Sequence, residues 1–256
     1  MVRAEIRAEI RERVAHVTLD RPEKKNAITA EMYAQLAEAL AAADADPGAR
    51  AILLSGSKDC FTAGNDLADF LERPPAGTGS PTWRFFEVLP SLAKPVVAAV
   101  GGPAIGIGTT LLLHCDLVYA SSAARFQLPF VPLGIVPEFG STYLLPLLAG
   151  YQRAAELLLL GEPFDAQKAR ELGLVSEITS PEDLLATAEK AAQRLAALPP
   201  ASLRLTKRLL RSAHAEQVRR TIDEEGRIFR ERLDSPEAKE ALRAFLEKRK
   251  PDFSRF

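Results

Sequence analysis

The chain has 256 residues, 47% of them hydrophobic, which is enough to bury the core of one large domain or of a core with a smaller appendage. Its 33 basic and 34 acidic residues nearly cancel, and this balance disfavours binding to nucleic acid or to an anionic membrane. Two cysteines are too few for a disulfide framework, and three scattered histidines do not suggest a metal site. Because the first residues lack a signal peptide's apolar stretch and no segment is apolar enough to span a bilayer, we expect a cytoplasmic globular protein.

The hydrophobic pattern predicts alternating strands and helices. Residues 4–10 and 13–19 alternate as strands do, and a helix with Thr29 as its N-cap follows them. Strands separated by helical segments favour parallel sheets with crossover helices. The further predicted strands are "RAILLSG", "KPVVAAVGG", "DLVYA" and "RFQLP", and the further helices include "GIGTTLLLHC" and "FGSTYLLPLL".

The pattern changes towards the C-terminus. From about residue 181 it is helical only, with charged faces. We therefore predict a core at 1–198 and a helical C-terminal module at 199–256, which starts after "LPP". Residues 72–81 are rich in Gly, Pro and Ser and are predicted to form a loop.

Two glycine-rich stretches follow apolar runs: "CFTAGNDL" at 60–67 and "GGPAIGIGTTLLL" at 101–113. Each places exposed backbone N–H groups at the start of a helix, where they favour negative charge. Together the two can form one anion hole for the oxygen of a thioester as it becomes an enolate. The alternative is that Gly64, Gly106 and Gly108 only permit tight turns and close helix packing.

Other glycine-loop chemistries fit less well. "GIGTTL" begins like a dinucleotide-binding G-x-G-x-x-G, but Leu111 stands where the third glycine belongs, and no acidic residue follows about twenty positions on at a strand end. The chain contains no P-loop and no G-x-S-x-G elbow. These absences disfavour dinucleotide binding, phosphoryl transfer and serine hydrolysis.

Four stretches taken together resemble the enoyl-CoA hydratase/isomerase family, the crotonases. They are "LDRPEKKNAIT", "CFTAGNDL", "AAVGGPAIGIGTTLLLHCDLVYASSAARFQLPF" and "LGIVPEFGSTYLLP", and the likeness continues through residues 154–178. The resemblance implies an α/β fold, a spiral of repeated β-β-α turns with a C-terminal all-helical module. It also implies an acyl-CoA thioester substrate, no cofactor beyond the CoA of that substrate, and a homotrimer or dimer of trimers.

The resemblance assigns the oxyanion hole to the backbone N–H groups of Asn65 and Ile107. Ile107 replaces a glycine common in the family, and the role needs only its N–H with φ below zero. Asp66 is expected to be a helix cap rather than a catalytic group. Lys24 and Lys25 are predicted neighbours of the CoA phosphates, with exposed solvated lysines as the alternative. The remaining predicted substrate-binding residues are Ala63, Gly64, Leu67, Gly106, Gly108 and Phe130, together with Asn65, Asp66 and Ile107 themselves.

Departures from the family pattern indicate the reaction. Thr110 and Phe130 stand where the family's hydratases carry two glutamates, and neither side chain can act as acid or base near neutral pH. Pro137 and Glu138 match the single "PE" glutamate of the peroxisomal type of Δ3,Δ2-enoyl-CoA isomerase. We therefore predict that Glu138 shuttles a proton from C2 to C4 and that its apolar neighbours raise its basicity.

Three alternatives remain at this stage. Glu138 could be a surface carboxylate that caps the helix "FGSTYLLPLL". Another crotonase reaction, such as hydration or a different lyase reaction, could use an unrecognised base. The protein could also be a non-catalytic acyl-CoA-binding homologue. We expect the walls of the acyl pocket to come from residues 72–86 and from the C-terminal helices.

Overall fold

The computed structural model describes residues 5–57, 59–72, 77, 79–247 and 249–256, with residues 70–72 described by their backbone alone. Half of the predicted loop at 72–81, namely residues 73–76 and 78, lies outside the described residues. The strands in the described part are β1 Ile6–Arg11, β2 Val14–Leu19, β3 Ala51–Gly56, β4 Val96–Val100, β5 Pro103–Ile105, β6 Leu117–Ser121, β7 Arg125–Gln127, β8 Phe164–Asp165 and β9 Glu177–Thr179.

The helices of the described part fall between and after these strands. They are α1 Ala30–Ala45, α2 Leu67–Glu72, α3 Pro81–Ser91, α4 Ile107–Thr110, α5 Ser141–Ala149, α6 Tyr151–Ala155, α7 Ala166–Glu171, α8 Leu184–Ala197, α9 Pro200–Ser212, α10 Ala215–Leu233 and α11 Pro236–Leu246. Short 3-10 turns lie at Pro22–Lys24, Leu111–His114 and Val131–Leu133, and a π turn at Glu156–Leu160. None of the described helices is long and apolar enough to cross a bilayer.

Two sheets organise the chain. The larger has the order β1-β2-β3-β4-β6-β9, antiparallel between β1 and β2 and parallel elsewhere, and the smaller has the order β5-β7-β8. From β4 to β7 successive strands alternate between the two sheets, so each turn of the chain contributes one strand to each of them. This arrangement confirms the predicted α/β class with mainly parallel pairing.

Local signals place most elements within a few residues of their predicted bounds. The Thr29 hydroxyl accepts a hydrogen bond from Met32 N–H at 3.2 Å, which confirms the predicted cap of α1. The helix predicted over 106–115 is instead one α turn, α4, followed by the 3-10 turn at Leu111–His114, a tightening that is frequent near helix ends. The pattern did not predict α3, which begins at Pro81 and is capped by Ser80.

The C-terminal helices share the core of the preceding residues. α10 lies beyond residue 198, yet its Ile222 and Phe229 belong to the main hydrophobic cluster of the strands and preceding helices. The division at residue 198 therefore stays a prediction. On α9, Leu209 and Leu210 are 68% and 77% exposed, a pattern expected where a second copy would cover them. The homotrimer also stays a prediction, and a monomeric mass by light scattering at micromolar concentrations would contradict it.

Candidate active site

Asn26 joins the two segments that form one side of the site. It is fully buried, with φ 53°, a left-handed conformation that asparagine tolerates well. Its side-chain amide donates hydrogen bonds to the carbonyls of Cys60 at 2.8 Å and Phe61 at 3.2 Å, and Thr62 Oγ1 donates to its carbonyl at 2.7 Å. The "RPEKKNA" and "CFTAG" segments are therefore held together as one unit.

The backbone around Asn65 is arranged so that its N–H is free. Ile28 N–H donates to Gly64 O at 2.8 Å, and Asp66 N–H donates to Ile28 O at 2.9 Å, so the parallel bridge uses the groups on either side of Asn65. Ile107 begins α4 outside the positive-φ region. Within the described ranges neither the Asn65 N–H nor the Ile107 N–H donates a hydrogen bond. Two unpaired backbone donors are therefore available.

The loops that carry these donors touch each other. Thr62 and Ala104 form a parallel bridge, and a Cβ on Gly64 would lie 2.8 Å from the carbonyl oxygen of Ile105. Gly64 has φ 91°, so both its conformation and this contact require glycine. Gly108 has a packing role instead, because a Cβ there would lie 2.6 Å from Thr62 Cγ2.

A cavity of about 630 Å³ opens onto both loops. Most of the predicted substrate-binding residues line this cavity, but Lys25 and Gly108 do not. The predicted base, Glu138, is not part of the lining either. The C-terminal helices supply much of its apolar wall, as expected, whereas none of the described residues among 72–86 lines it. A groove of about 730 Å³ beside α9 shares no residue with this cavity. The predicted residues on the cavity lining are Lys24, Ala63, Gly64, Asn65, Asp66, Leu67, Gly106, Ile107 and Phe130, and the C-terminal helices add Phe229, Leu233, Ala241, Leu242 and Phe245.

The charged residues near the cavity mouth have separate roles. Lys24 lines the cavity, whereas the exposed Lys25 contributes its carbonyl, which accepts a hydrogen bond from Ala63 N–H at 2.9 Å. Asp66 Oδ1 accepts from the N–H groups that begin α2, which confirms its role as a cap. Burial raises the Asp66 pKa, but the hydrogen bond from Arg21 at 2.7 Å and those from the helix amides lower it below its usual value. No sequence pattern indicated that Arg21 pairs with Asp66.

Glu138 is buried, with 5% of its surface exposed, in a turn whose next two residues are left-handed: Phe139 has φ 62° and Gly140 has φ 74°. Its Oε1 has no hydrogen-bond partner in the described part of the molecule. Burial, and next the charge of Glu225, raises the pKa of Glu138 to about 8. The basicity predicted from its apolar neighbours is therefore present.

A different glutamate caps α5. Glu225 of α10 accepts hydrogen bonds from Gly140 N–H at 2.6 Å, Thr142 N–H at 2.8 Å and Thr142 Oγ1 at 2.6 Å. The alternative in which Glu138 caps this helix is wrong, because Glu225 occupies the helix N-terminus. Glu225 lies in the charged run "IDEEGR", where nothing in the sequence distinguishes it from its neighbours.

Two further side chains connect the Glu138 turn to its surroundings. The buried Tyr33 hydroxyl donates to Asn65 Oδ1 at 2.6 Å, and burial together with the nearby Glu138 charge raises the Tyr33 pKa well above its usual value. His114 Nε2 lies 2.8 Å from the Phe139 carbonyl, and burial lowers the His114 pKa to about 4, so the ring is neutral and donates this bond. No pattern in the sequence predicted either of these two contacts.

Thr110 and Phe130, where the resemblance predicts that hydratases carry glutamates, have non-acidic side chains in defined contacts. Thr110 is fully buried, and its hydroxyl donates to Ile107 O at 3.4 Å. Phe130 is 4% exposed and forms part of the cavity wall. The two positions therefore supply no acid, and the groups that remain are the Glu138 carboxylate and the two free amides.

Comparison with known proteins places this architecture in a family. The family model described as enoyl-CoA hydratase/isomerase matches residues 9–255. The chain is 39% identical to 1,2-epoxyphenylacetyl-CoA isomerase of Escherichia coli K12 over 94% of this chain and 95% of that protein. It is 36% identical to enoyl-CoA delta isomerase 2 of Rattus norvegicus over 93% of this chain and 62% of that protein.

A solved structure of an enoyl-CoA hydratase/isomerase from Pseudoalteromonas atlantica T6c superposes with a TM-score of 0.94 at 43% identity, covering 98% of this chain and all of that one. Other relatives, at 34% and 35% identity, are named hydratases, so similarity identifies the family without identifying the reaction. The chain belongs to the enoyl-CoA hydratase/isomerase family, whose members are enzymes that act on acyl-CoA thioesters.

Proposed function

We propose that the protein is a Δ3,Δ2-enoyl-CoA isomerase with Glu138 as its only acid-base group. The observation that carries the proposal is the buried Glu138 carboxylate, which has a raised pKa and an oxygen without a hydrogen-bond partner among the described residues. Neither Thr110 nor Phe130 supplies a second acid. Hydration needs one group to activate water and another to manage the proton at the α-carbon. A double-bond shift needs one base that can return the proton it removes.

The proposed reaction uses the two halves of the site in turn. The thioester oxygen accepts hydrogen bonds from the Asn65 and Ile107 amides, which makes the C2 proton more acidic. The Glu138 carboxylate removes this proton, becomes a carboxylic acid and leaves a dienolate on the substrate. The same acid then delivers the proton to C4, which forms the C2–C3 double bond and restores the carboxylate. Atoms and charge balance without water or a cofactor.

Substrate binding must bring the acyl α-carbon close to Glu138. Glu138 does not line the cavity, although Ile135 of the same segment does. The acyl α-carbon must therefore come within hydrogen-bond reach of the carboxylate when substrate binds, and contacts of this kind commonly tighten only in the complex. We further propose that CoA contacts the cavity mouth at Lys24 and the 63–67 loop, and that no metal or redox cofactor takes part.

Turnover on two substrates tests the reaction. The protein should isomerise a 3-enoyl-CoA and hydrate crotonyl-CoA more slowly by orders of magnitude. Glu138→Gln keeps the shape of the side chain but offers a far weaker base, so isomerisation should fall by roughly two to four orders of magnitude with acyl-CoA binding little changed. Hydration at a rate matching isomerisation would contradict the assignment. Binding without turnover of either substrate would support the non-catalytic alternative.

A further inference from the structure

Glu225 is a buried acid that the proton shuttle does not use. It lies outside every stretch that carries the family resemblance, on α10, and only 5% of its surface is exposed. Burial raises its pKa to about 7, and the bonds from Thr142 and Gly140 oppose this rise. A buried carboxylate is costly unless its oxygens are paired, and here both oxygens accept hydrogen bonds. The geometry explains how the charge is held at this position.

The turn that Glu225 holds is the turn that carries the base. Phe139 has a left-handed backbone, which is strained for a bulky residue, and Gly140 continues in the same region. Contacts on both sides support the turn: Phe139 stacks on Phe86 with ring centroids 4.2 Å apart, and Gly140 N–H donates to Glu225 at 2.6 Å. The position of Glu138 therefore depends on α10.

We propose that Glu225 is a positioning residue for Glu138: through its bond to Gly140 it fixes the turn that carries the base and brings a second buried carboxylate to that turn. Its charge adds to burial in raising the basicity of Glu138. The inference rests on the proposed function, because it concerns the same proton shuttle. Removal of a proton from C2 is faster with a stronger base. The Glu225 charge also favours the intermediate in which Glu138 is protonated, because that step removes the repulsion between two anions.

Three further ionisable groups near this turn, among the residues that the structure describes, do not replace the Glu225 charge. Tyr33 on α1 is neutral, because its pKa is raised well above the usual value. His114, from the 3-10 turn before β6, is neutral above a pH of about 4. On α3, Glu87 is exposed to solvent, which screens it. Glu225 is the charged group that acts on the Glu138 carboxyl.

The test is the pH dependence of kcat/KM for a 3-enoyl-CoA in three proteins: wild type, Glu225→Gln and Glu224→Gln. The last is a matched control, because Glu224 is the adjacent residue of the same helix, loses the same charge and has a side chain 61% exposed. In Glu225→Gln the acid limb should move to lower pH by about one unit or more, and the plateau kcat should fall severalfold. The Glu224→Gln profile should coincide with wild type.

A folded Glu225→Gln variant whose acid limb stays at the wild-type position would overturn the proposal and leave Glu225 a structural cap. If this variant does not fold, carboxyl carbon NMR of the wild-type protein supplies the test. The Glu138 and Glu225 resonances, assigned by their loss in Glu138→Gln and Glu225→Asp, should each titrate in two coupled steps. Two independent single-step curves would overturn the proposal.

The titration also separates this inference from the reaction itself. If Glu138→Gln retained wild-type isomerisation, the proposed function would fail, whatever the two resonances showed. If Glu138→Gln were inactive while the resonances titrated independently, the function would stand and the role of Glu225 would fail.

Discussion

The two halves of the site are built in different ways. The oxyanion half consists of backbone N–H groups in loops that precede α5, tied together by Asn26 and by the bridges of Ile28 and Thr62. The base half is one side chain in a strained turn, held by Glu225 from α10. A donor supplied by the backbone should tolerate a change of side chain, and in the proposed mechanism Ile107 is such a donor. A base supplied by a buried side chain depends on the charge and position of a distant helix.

The largest effect expected in the oxyanion half is the loss of the Asn65 amide. Asn65→Pro removes the backbone donor and should lower kcat by about a hundredfold or more. Asn65→Ala keeps the N–H and is the matched control. It deprives the Tyr33 hydroxyl of its acceptor, so a loss of about 1–3 kcal/mol in stability is expected while most activity remains. Equal activity of the two variants would remove the Asn65 amide from the site.

Asn26→Ala should separate the two segments that Asn26 joins. It removes several buried hydrogen bonds and places alanine at φ 53°, so we expect a loss of about 2–4 kcal/mol in the free energy of unfolding. Activity should fall together with stability, because the Asn65 loop loses its support. Urea unfolding measures the first effect and turnover the second. Full activity at an unchanged unfolding midpoint would show that the loop holds its shape without Asn26.

Glu138→Gln should make the folded protein more stable than wild type at alkaline pH. An acid with a higher pKa in the folded chain stabilises the fold only while protonated, so wild type loses stability as pH rises from about 4.5, the usual value, to about 8. Glutamine cannot ionise and avoids this loss. The variant should therefore melt above wild type at pH 9, and the difference should shrink as the pH falls and disappear below about pH 4.5. A lower melting temperature at pH 9 would show that the ionised carboxylate is a structural group.

The smallest effect concerns the support of the turn. Thr142→Val removes the hydroxyl that donates to Glu225 while the backbone bonds and the charge remain. We expect a loss of about 0.5–1.5 kcal/mol in unfolding free energy and an acid limb of kcat/KM at its wild-type position. Denaturant unfolding and the pH profile report on these two quantities separately. A displaced acid limb would show that the hydrogen bond, rather than the charge, sets the basicity of Glu138.

The sequence predicted the features that depend on local patterns. Alternation, glycine-rich loops and the Thr29 cap each have a short-range cause, so α1, the loops around Asn65 and Ile107 and the longer strands were predictable, whereas the two- and three-residue strands β5, β8 and β9 were not predicted. The partners of Glu138 were not, because Tyr33 and Glu225 reach the turn through tertiary packing and look like ordinary helix residues. The 106–115 segment was predicted as one helix because its apolar pattern is the same in an α turn and a 3-10 turn.

The position of α10 in the chain has a consequence for biosynthesis. A nascent polypeptide folds from its N-terminus, so the sheet and the glycine loops emerge from the ribosome before Glu225 is made. Until α10 docks, the first amides of α5 lack their acceptor and the Phe139 turn lacks support on that side. If the proposed mechanism holds, a growing chain can thus form the two loops that would bind a thioester oxygen before the turn of Glu138 is supported. In the proposed mechanism, catalytic competence therefore waits for a segment that is translated after both glycine loops.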